Sequence, residues 1–337
     1  MISLIPVCAA AVLLLPAQES KPATDPPAEV PAELPAETPV KAPVEAPEFV
    51  PPAEAPEPVE GALFTRFYHE DGTLAREGYL KDGQRVGIWK SWFIGGQREL
   101  HGAFQNYARV GPWIIYSEDG ASYTHASYDK NGDRDGVWTT YFVADKDKGT
   151  TVVKGIAHWR HGRKHGSHER YARNGKLMSL VEFNEGVKDG RNLKFGRGGK
   201  NKLEDGHYSN GLQTGPWKIY MNNGVLKSEG SFEQGKRVGE WIEYFANESR
   251  ESVVHWVDGV PDGPSQGFYK QGERRYRGTF KKGLLEGDYI EWWPSGDKKG
   301  EGAYKGGHFD GPWTFWDREG REDPSKTGVY RAGDLVR

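Results

Sequence analysis

Ten glycines, Gly87, Gly111, Gly136, Gly166, Gly190, Gly215, Gly239, Gly263, Gly287 and Gly311, stand 24, 25, 30, 24, 25, 24, 24, 24 and 24 residues apart. A period that constant is an architecture: one supersecondary unit is stacked on copies of itself. With each of these glycines as a marker, position −4 is also glycine in nine of ten units, the exception being Tyr107. Position +2 is Trp in six units and His168, Asn192, Ser265 or Tyr289 in the rest. Position +5 is aromatic in all ten, and position +9 is glycine in eight.

Each unit reads as strand, turn, strand, turn. Asp119-Gly120, Asn174-Gly175, Asn223-Gly224 and Ser295-Gly296 are turn dipeptides in which glycine takes φ > 0 without a Cβ clash. The strand before them holds Trp, Tyr and β-branched residues, as in WIIY at 113–116. The strand after them leads to a lone aromatic such as Phe104, Phe183, Tyr208 or Phe232, and then to a polar G-x-x-x-G loop. We read the +9 turn as the tight one and the G-x-x-x-G loop as the looser one. Apolar residues are only 36% of the 337-residue chain, too few for a thick aliphatic core, and no segment keeps a 3.6-residue period. The expected fold class is all-β: an elongated repeat protein, a continuous antiparallel β-meander of hairpin units about 24 residues long. At roughly 4.8 Å per strand the sheet would run on the order of 90–100 Å. Positions +2 and +5 differ by three, so pleating sends them to opposite faces. The +5 aromatics should then line one face as a ladder. Trp113, Tyr116, Trp217, Tyr220, Trp241, Tyr244, Trp313 and Trp316 are therefore read as structural.

The pattern in GLQTGPWKIYMNNG (211–224) and GKRVGEWIEYFANE (235–248) resembles the MORN repeat variant of bacterial proteins, in about ten units covering roughly 270 residues. The resemblance implies β-hairpin repeats forming an extended interaction surface, with partners that differ between proteins.

Upstream of the repeats the composition changes twice. Residues 1–17 are an apolar run, Ile2–Leu15, closing on small residues, which reads as a signal peptide. The residues before Cys8, Ile5-Pro6-Val7, make no lipoprotein box, and the chain contains no other cysteine. The expected location is secreted, periplasmic or cell-surface. Residues 18–60 carry proline at every fourth position from Pro27 to Pro51 and eight glutamates between Glu29 and Glu60. That is the composition of an extended acidic tether reaching on the order of 100 Å. Residues 61–337 form the repeat domain.

A repeated residue is duplicated for packing, whereas a catalytic site needs one unsymmetrical constellation. There is no H-E-x-x-H, and Cys8 is the one cysteine, so no enzyme and no cofactor is expected. Departures from the repeat are the places to look for function. The largest is HWRHGRKHGSHERY (158–171), with His158, His161, His165 and with His168 in a Trp position. A histidine cluster is one reading of it, a polar loop without metal the other, and the second is preferred. From Lys154 to Lys202 there are 13 Lys/Arg against 4 Asp/Glu in a chain whose net charge is −3. Arg160, Arg163, Lys164, His168, Arg191 and Lys194 are the candidate contacts of this basic patch. Its partner would be an acidic protein, an anionic envelope polymer, lipid headgroups or the chain's own tether; nucleic acid is not expected and membrane contact stays open. Two alternatives remain. One is an aromatic cage for choline-like or carbohydrate ligands, built from Trp217, Tyr220, Trp241 and Tyr244 or from Trp292, Trp293, Trp313 and Trp316. The other is immunity-like binding of a toxin.

Overall fold

The computed structural model describes residues 49–54, 57–145 and 150–336. The signal segment and most of the tether lie outside the described residues. So does the core of the unit-three insertion, 146–149. The described residues form 24 strands in one open antiparallel sheet, each paired with the next except that Leu284–Leu285 and Gly287–Trp292 both pair with Arg274–Lys281. The first strands are β1 (Leu63–Tyr68), β2 (Leu74–Lys81), β3 (Gln84–Trp92), β4 (Arg98–Gln105), β5 (Ala108–Tyr116) and β6 (Ser122–Tyr128). They continue with β7 (Gly136–Asp145), β8 (Thr150–Arg160), β9 (Arg163–Tyr171), β10 (Leu177–Asn184) and β11 (Val187–Phe195). The last strand is Asp334–Val336. No helix among the described residues is long and apolar enough to cross a membrane.

The two kinds of turn are the reverse of the sequence reading. The tight turn is at position −4: Asp82 (φ 50°) and Gly83 (φ 76°) join Lys81 to Gln84, both in the left-handed region. That is the type I′ hairpin, whose twist matches the strands it joins. The +9 glycine instead closes a longer connection, residues 93–97 in unit one. In several of these longer connections an Asx turn does the work, as when Asp71 Oδ1 accepts from Thr73 N at 2.9 Å. The strand therefore begins at −3 and runs through the marker glycine. Val86 pairs with Tyr79 and Lys90 with Glu77, so Gly87, Ile88 and Trp89 face Gly78 alone. The marker, at φ 65°, is a β-bulge that bends the strand and re-aims the next Trp.

The bulge explains how a single sheet buries tryptophan. Trp89, Trp113, Trp217, Trp241 and Trp313 are at most 2% exposed. Each indole lies flat over a glycine of the preceding strand: a Cβ on Gly102 would stand 2.1 Å from Trp113, and one on Gly230 2.4 Å from Trp241. The indole N–H of Trp89, Trp241 and Trp313 donates to the carbonyl just after that glycine, as Trp241 to Ser231 at 3.0 Å and Trp313 to Ala303 at 2.8 Å, whereas Trp113 donates to Val110 O at 3.2 Å. The repeat thus has a glycine at −9 whose role is to seat a ring.

In four units the seat is not glycine. Ala126 precedes Trp138, Ala157 precedes His168, Val181 precedes Asn192, and Val254 precedes Ser265. The two valine seats go with the small occupants Asn192 and Ser265, which keeps the row close-packed, while Gly278 still seats a ring, Tyr289.

The +2 and +5 residues do take opposite faces, but the ring ladder runs along the +2 face. The lone aromatic of each return strand interleaves with the +2 rings: Phe104–Trp113 at 5.0 Å, Trp113–Tyr128 at 6.1 Å, Tyr128–Trp138 at 5.2 Å. Most contacts are edge-to-face, worth about 0.5–1.5 kcal/mol each beyond burial. Successive +5 residues lie two strands apart, beyond ring contact with one another. A cation at −2 caps the ladder: Arg109 over Trp113 at 4.8 Å, Arg237 over Trp241 at 4.1 Å.

Units are also linked along the turn edge. From unit four onward the −4 glycine N–H donates to the −2 carbonyl of the unit before, as Gly211 to Lys188 at 2.8 Å and Gly235 to Gln213 at 2.9 Å. On the other edge side chains make the link, as Asn174 Nδ2 to Gly198 O at 3.1 Å and Tyr269 Oη to Trp292 O at 2.8 Å. Each unit thus leans on its neighbours.

Candidate functional site

The ladder face opens into a groove of about 520 Å³ over β7 to β10. Small residues on β8, Gly155 and Ala157, form its floor, and Trp138, Trp159, His168 and Phe183 wall it. The strands are long here because the unit-three insertion extends the β7–β8 hairpin, giving β8 11 residues. Trp159, like Trp256 in unit seven, occupies the place where the other units' return strands carry Phe or Tyr. Arg134 lies between two rings, 4.9 Å from Trp138 and 4.7 Å from Trp159. Lys154, Lys164 and Arg170 line the rim, all exposed.

His168 does in unit four what Trp does elsewhere. Its ring joins the ladder, 5.6 Å from Trp159 and 4.9 Å from Phe183. Its Nε2 meets His158 O at 2.9 Å, the carbonyl just after its Ala157 seat, which fixes the Nε2–H tautomer. Burial pushes its pKa below the ordinary value. It is a neutral packing group seated on Ala157, as Trp138 is seated on Ala126.

One donor in the groove is unspent. Trp159 Nε1 is buried and has no hydrogen-bond partner, because the usual acceptor alignment belongs to the +2 ring and not to the return-strand ring. Asn192 Nδ2, beyond Val181 in the same row, is in the same state. A buried N–H without an acceptor costs about 1–3 kcal/mol, which an incoming acceptor would recover.

The six sequence-derived contacts divide between the faces. Lys164 lies on the ladder face with its Nζ 4.8 Å from the Phe183 ring, beside His168, and Lys194 is on that face two strands farther, paired with Glu204 at 3.2 Å. Strand alternation sends Arg160 and Arg163 to the opposite face at the turn. Arg191 is on that opposite face too, its Nη2 3.8 Å from Asp205. Sequence reasoning missed Trp138, Trp159, Lys154 and Arg170. The signal was the Trp at a Phe/Tyr position, and the cation that recurs at −2.

The histidines do not converge. His158 Nδ1 is 2.7 Å from Ser167 O, His161 faces Asp129 at 3.3 Å, and His165 faces Glu185 at 3.5 Å. Among the described residues no group of three or more His, Cys, Asp or Glu is arranged to hold a metal. Nor do the proposed cages assemble. Trp217 and Trp241 are sealed in the ladder, while Tyr220 and Tyr244 look out of the opposite face. Trp313 and Trp316 are separated in the same way, and Trp293 donates to Trp316 O at 3.3 Å.

Comparison with known proteins finds the family described as MORN repeat variant at residues 164–185 and 213–234. Each matched stretch runs from a −2 residue to the next tight turn, which is one structural unit. MORN repeats are in general non-catalytic modules that bind proteins or lipids. No curated protein matches the chain. Among solved structures, the TcdB2-TccC3-Cdc42 complex is 12% identical over 71% of this chain, with a TM-score of 0.16. This chain spans 14% of the length of that one. A Bacteroides fragilis protein of unknown function is 10% identical over 59% of this chain and 96% of its own, with a TM-score of 0.11. The repeat variant is thus matched in two units whose sequence and hairpin geometry the other units share.

Proposed function

We propose that the chain is an exported, non-enzymatic repeat scaffold that holds an anionic macromolecule, an acidic protein or an envelope polymer, against its ladder face. The β7–β10 groove is the principal contact. The observation that carries this reading is the combination found there: an aromatic wall, a rim of Lys154, Lys164 and Arg170, and the unspent N–H of Trp159. Stacking surface, positive charge and an unused donor together suit an acceptor-rich anion. Export is supported by the apolar, small-residue composition of residues 1–17. The local surplus of nine positive charges between Lys154 and Lys202 would draw such a partner in at low salt.

The test is affinity capture from an envelope fraction with the full chain and with Lys154→Glu/Lys164→Glu/Arg170→Glu. Far-UV circular dichroism checks that both are folded. The expected result is a partner retained by the unmodified chain, released by raised salt, and absent with the variant. A variant that retains the same partners to the same salt concentration overturns the assignment.

A further inference from the structure

On the face opposite the ladder, β3 to β6 carry a strip of the chain's own tether. Phe49 stacks on His125 with ring centroids 3.9 Å apart and planes 15° apart. Pro52 is buried. Ala53 O accepts from His101 Nε2 at 2.9 Å. The Glu54 carboxylate meets Lys90 Nζ at 3.1 Å and Arg98 Nη1 at 3.4 Å, and Lys90 also donates to the Glu54 carbonyl. The His101 side chain is fully enclosed, and its Nδ1 has no hydrogen-bond partner, 3.9 Å from Glu54 Oε1. The last part of the tether is therefore docked on the sheet.

The strip lies on residues that depart from the repeat. In this cross-strand row the return strands elsewhere place groups such as Glu77, Ile156, Leu180 or Glu229; only two place histidine, His101 and His125. Proline has no N–H, so a Pro-Pro segment offers carbonyls alone, and the face supplies donors alone: His101, Lys90 and Arg98. The match extends to a carboxylate at one end and a ring at the other.

The docked phrase is also repeated in the sequence. Pro51-Pro52-Ala53-Glu54 recurs as Pro26-Pro27-Ala28-Glu29, and Pro-Ala-Glu recurs at 31–33 and 35–37. Four copies of the ligand accompany one site. We propose that this face of β3–β6 is a reader of extended Pro-Ala-Glu peptides, and that its second occupant is a Pro-Ala-Glu segment from the tether of another copy of the chain. The chain's own residues 49–54 are favoured in two ways: they are covalently attached, and they alone carry a ring five residues before the glutamate. Thr24, Ala28 and Ala32 stand there in the other copies, which should bind roughly 2- to 13-fold more weakly for want of the stack. This inference concerns the face opposite the groove and stands whether or not the groove binds an anion.

The test uses the full chain and a fluorescent peptide of residues 26–37, read by anisotropy. In the vacated chain, Phe49→Ala and Glu54→Lys empty the site, and Glu29→Lys, Glu33→Lys and Glu37→Lys make the peptide the sole carrier of the motif. The vacated chain should bind the peptide at least about tenfold more tightly than the unmodified chain, whose own segment is present at roughly millimolar effective concentration. Adding Lys90→Glu and Arg98→Glu should abolish binding, with circular dichroism unchanged. Equal binding of a scrambled peptide, no gain on vacating the site, or no loss on reversing Lys90 and Arg98 each overturns the proposal.

Discussion

Replacing Gly102 by valine tests the idea that the −9 glycine is the seat of the indole. A Cβ at Gly102 would stand 2.1, 2.4 and 2.5 Å from three atoms of Trp113, a ring that is 0% exposed. The backbone on both sides is held in the sheet, so the ring must lift. Lifting it strains the row by about 1–3 kcal/mol. It also forfeits the Trp113 Nε1 hydrogen bond to Val110 O, about 1 kcal/mol, and weakens edge contacts to Phe104 and Tyr128 and the cap by Arg109. The total is about 4 kcal/mol, which falls on units one and two because each unit leans on its neighbours. Hydrogen exchange reads such a local loss: amides of β4 and β5 should exchange about 1000-fold faster, while those of units eight to ten barely change. The native pairs Val181/Asn192 and Val254/Ser265 supply the decisive control. Trp113→Ser alone should cost about 4 kcal/mol, yet in combination with Gly102→Val the total should fall at least about 2 kcal/mol short of the sum. Costs that add within about 0.5 kcal/mol, or a Gly102→Val cost below about 1 kcal/mol, would refute the seat.

Three further outcomes follow from the same geometry. His168→Trp should be tolerated within about 1 kcal/mol, since Ala126 already seats Trp138, whereas His168→Ala should cost about 2–3 kcal/mol by urea titration. Burial depresses the pKa of His101, beside Glu54, Lys90 and Arg98, and likewise those of His125 and His168; folding thus favours their neutral forms. Their contribution is fully present above the unfolded value of about 6.5 and is lost as pH falls below it through the depressed folded values; His168→Trp should flatten the acid limb of a melting-temperature profile. Gly211→Ala forces a side chain onto φ 85° and should cost about 1–2 kcal/mol, detected as faster exchange at the Lys188–Gly211 link.

The period carried much of this fold in plain view. Ten markers gave the hairpin count, and the three-residue offset between Trp113 and Tyr116 gave the two faces. What stayed hidden depends on partners across strands. Gly102 is nine residues before its marker, and only the register shows that it lies under Trp113. The bulge at Gly87 is invisible because a glycine that turns the chain and one that kinks a strand are the same letter. That ambiguity also exchanged the tight and loose turns. The basic patch was visible as composition, but alternation divides Arg160, Arg163 and Arg191 from Lys164, which no count of charges reveals. His168 and Asn192 looked like functional departures; both pack in the ladder row, and Asn192 fits the larger seat of Val181.

The turn-edge links have a mechanical consequence. From Gly162 to Gly333 each tight turn is tied to the hairpin before it by one backbone hydrogen bond. A pull on the chain ends loads these ties one after another, so the sheet should peel hairpin by hairpin under tension. Each release frees about 24 residues, or about 80 Å of contour, of which about 10 Å was already spanned by the two strands. A molecule bridging an envelope through this sheet would lengthen under load in steps of about 70 Å, keeping the remaining rungs, and whatever they hold, in place.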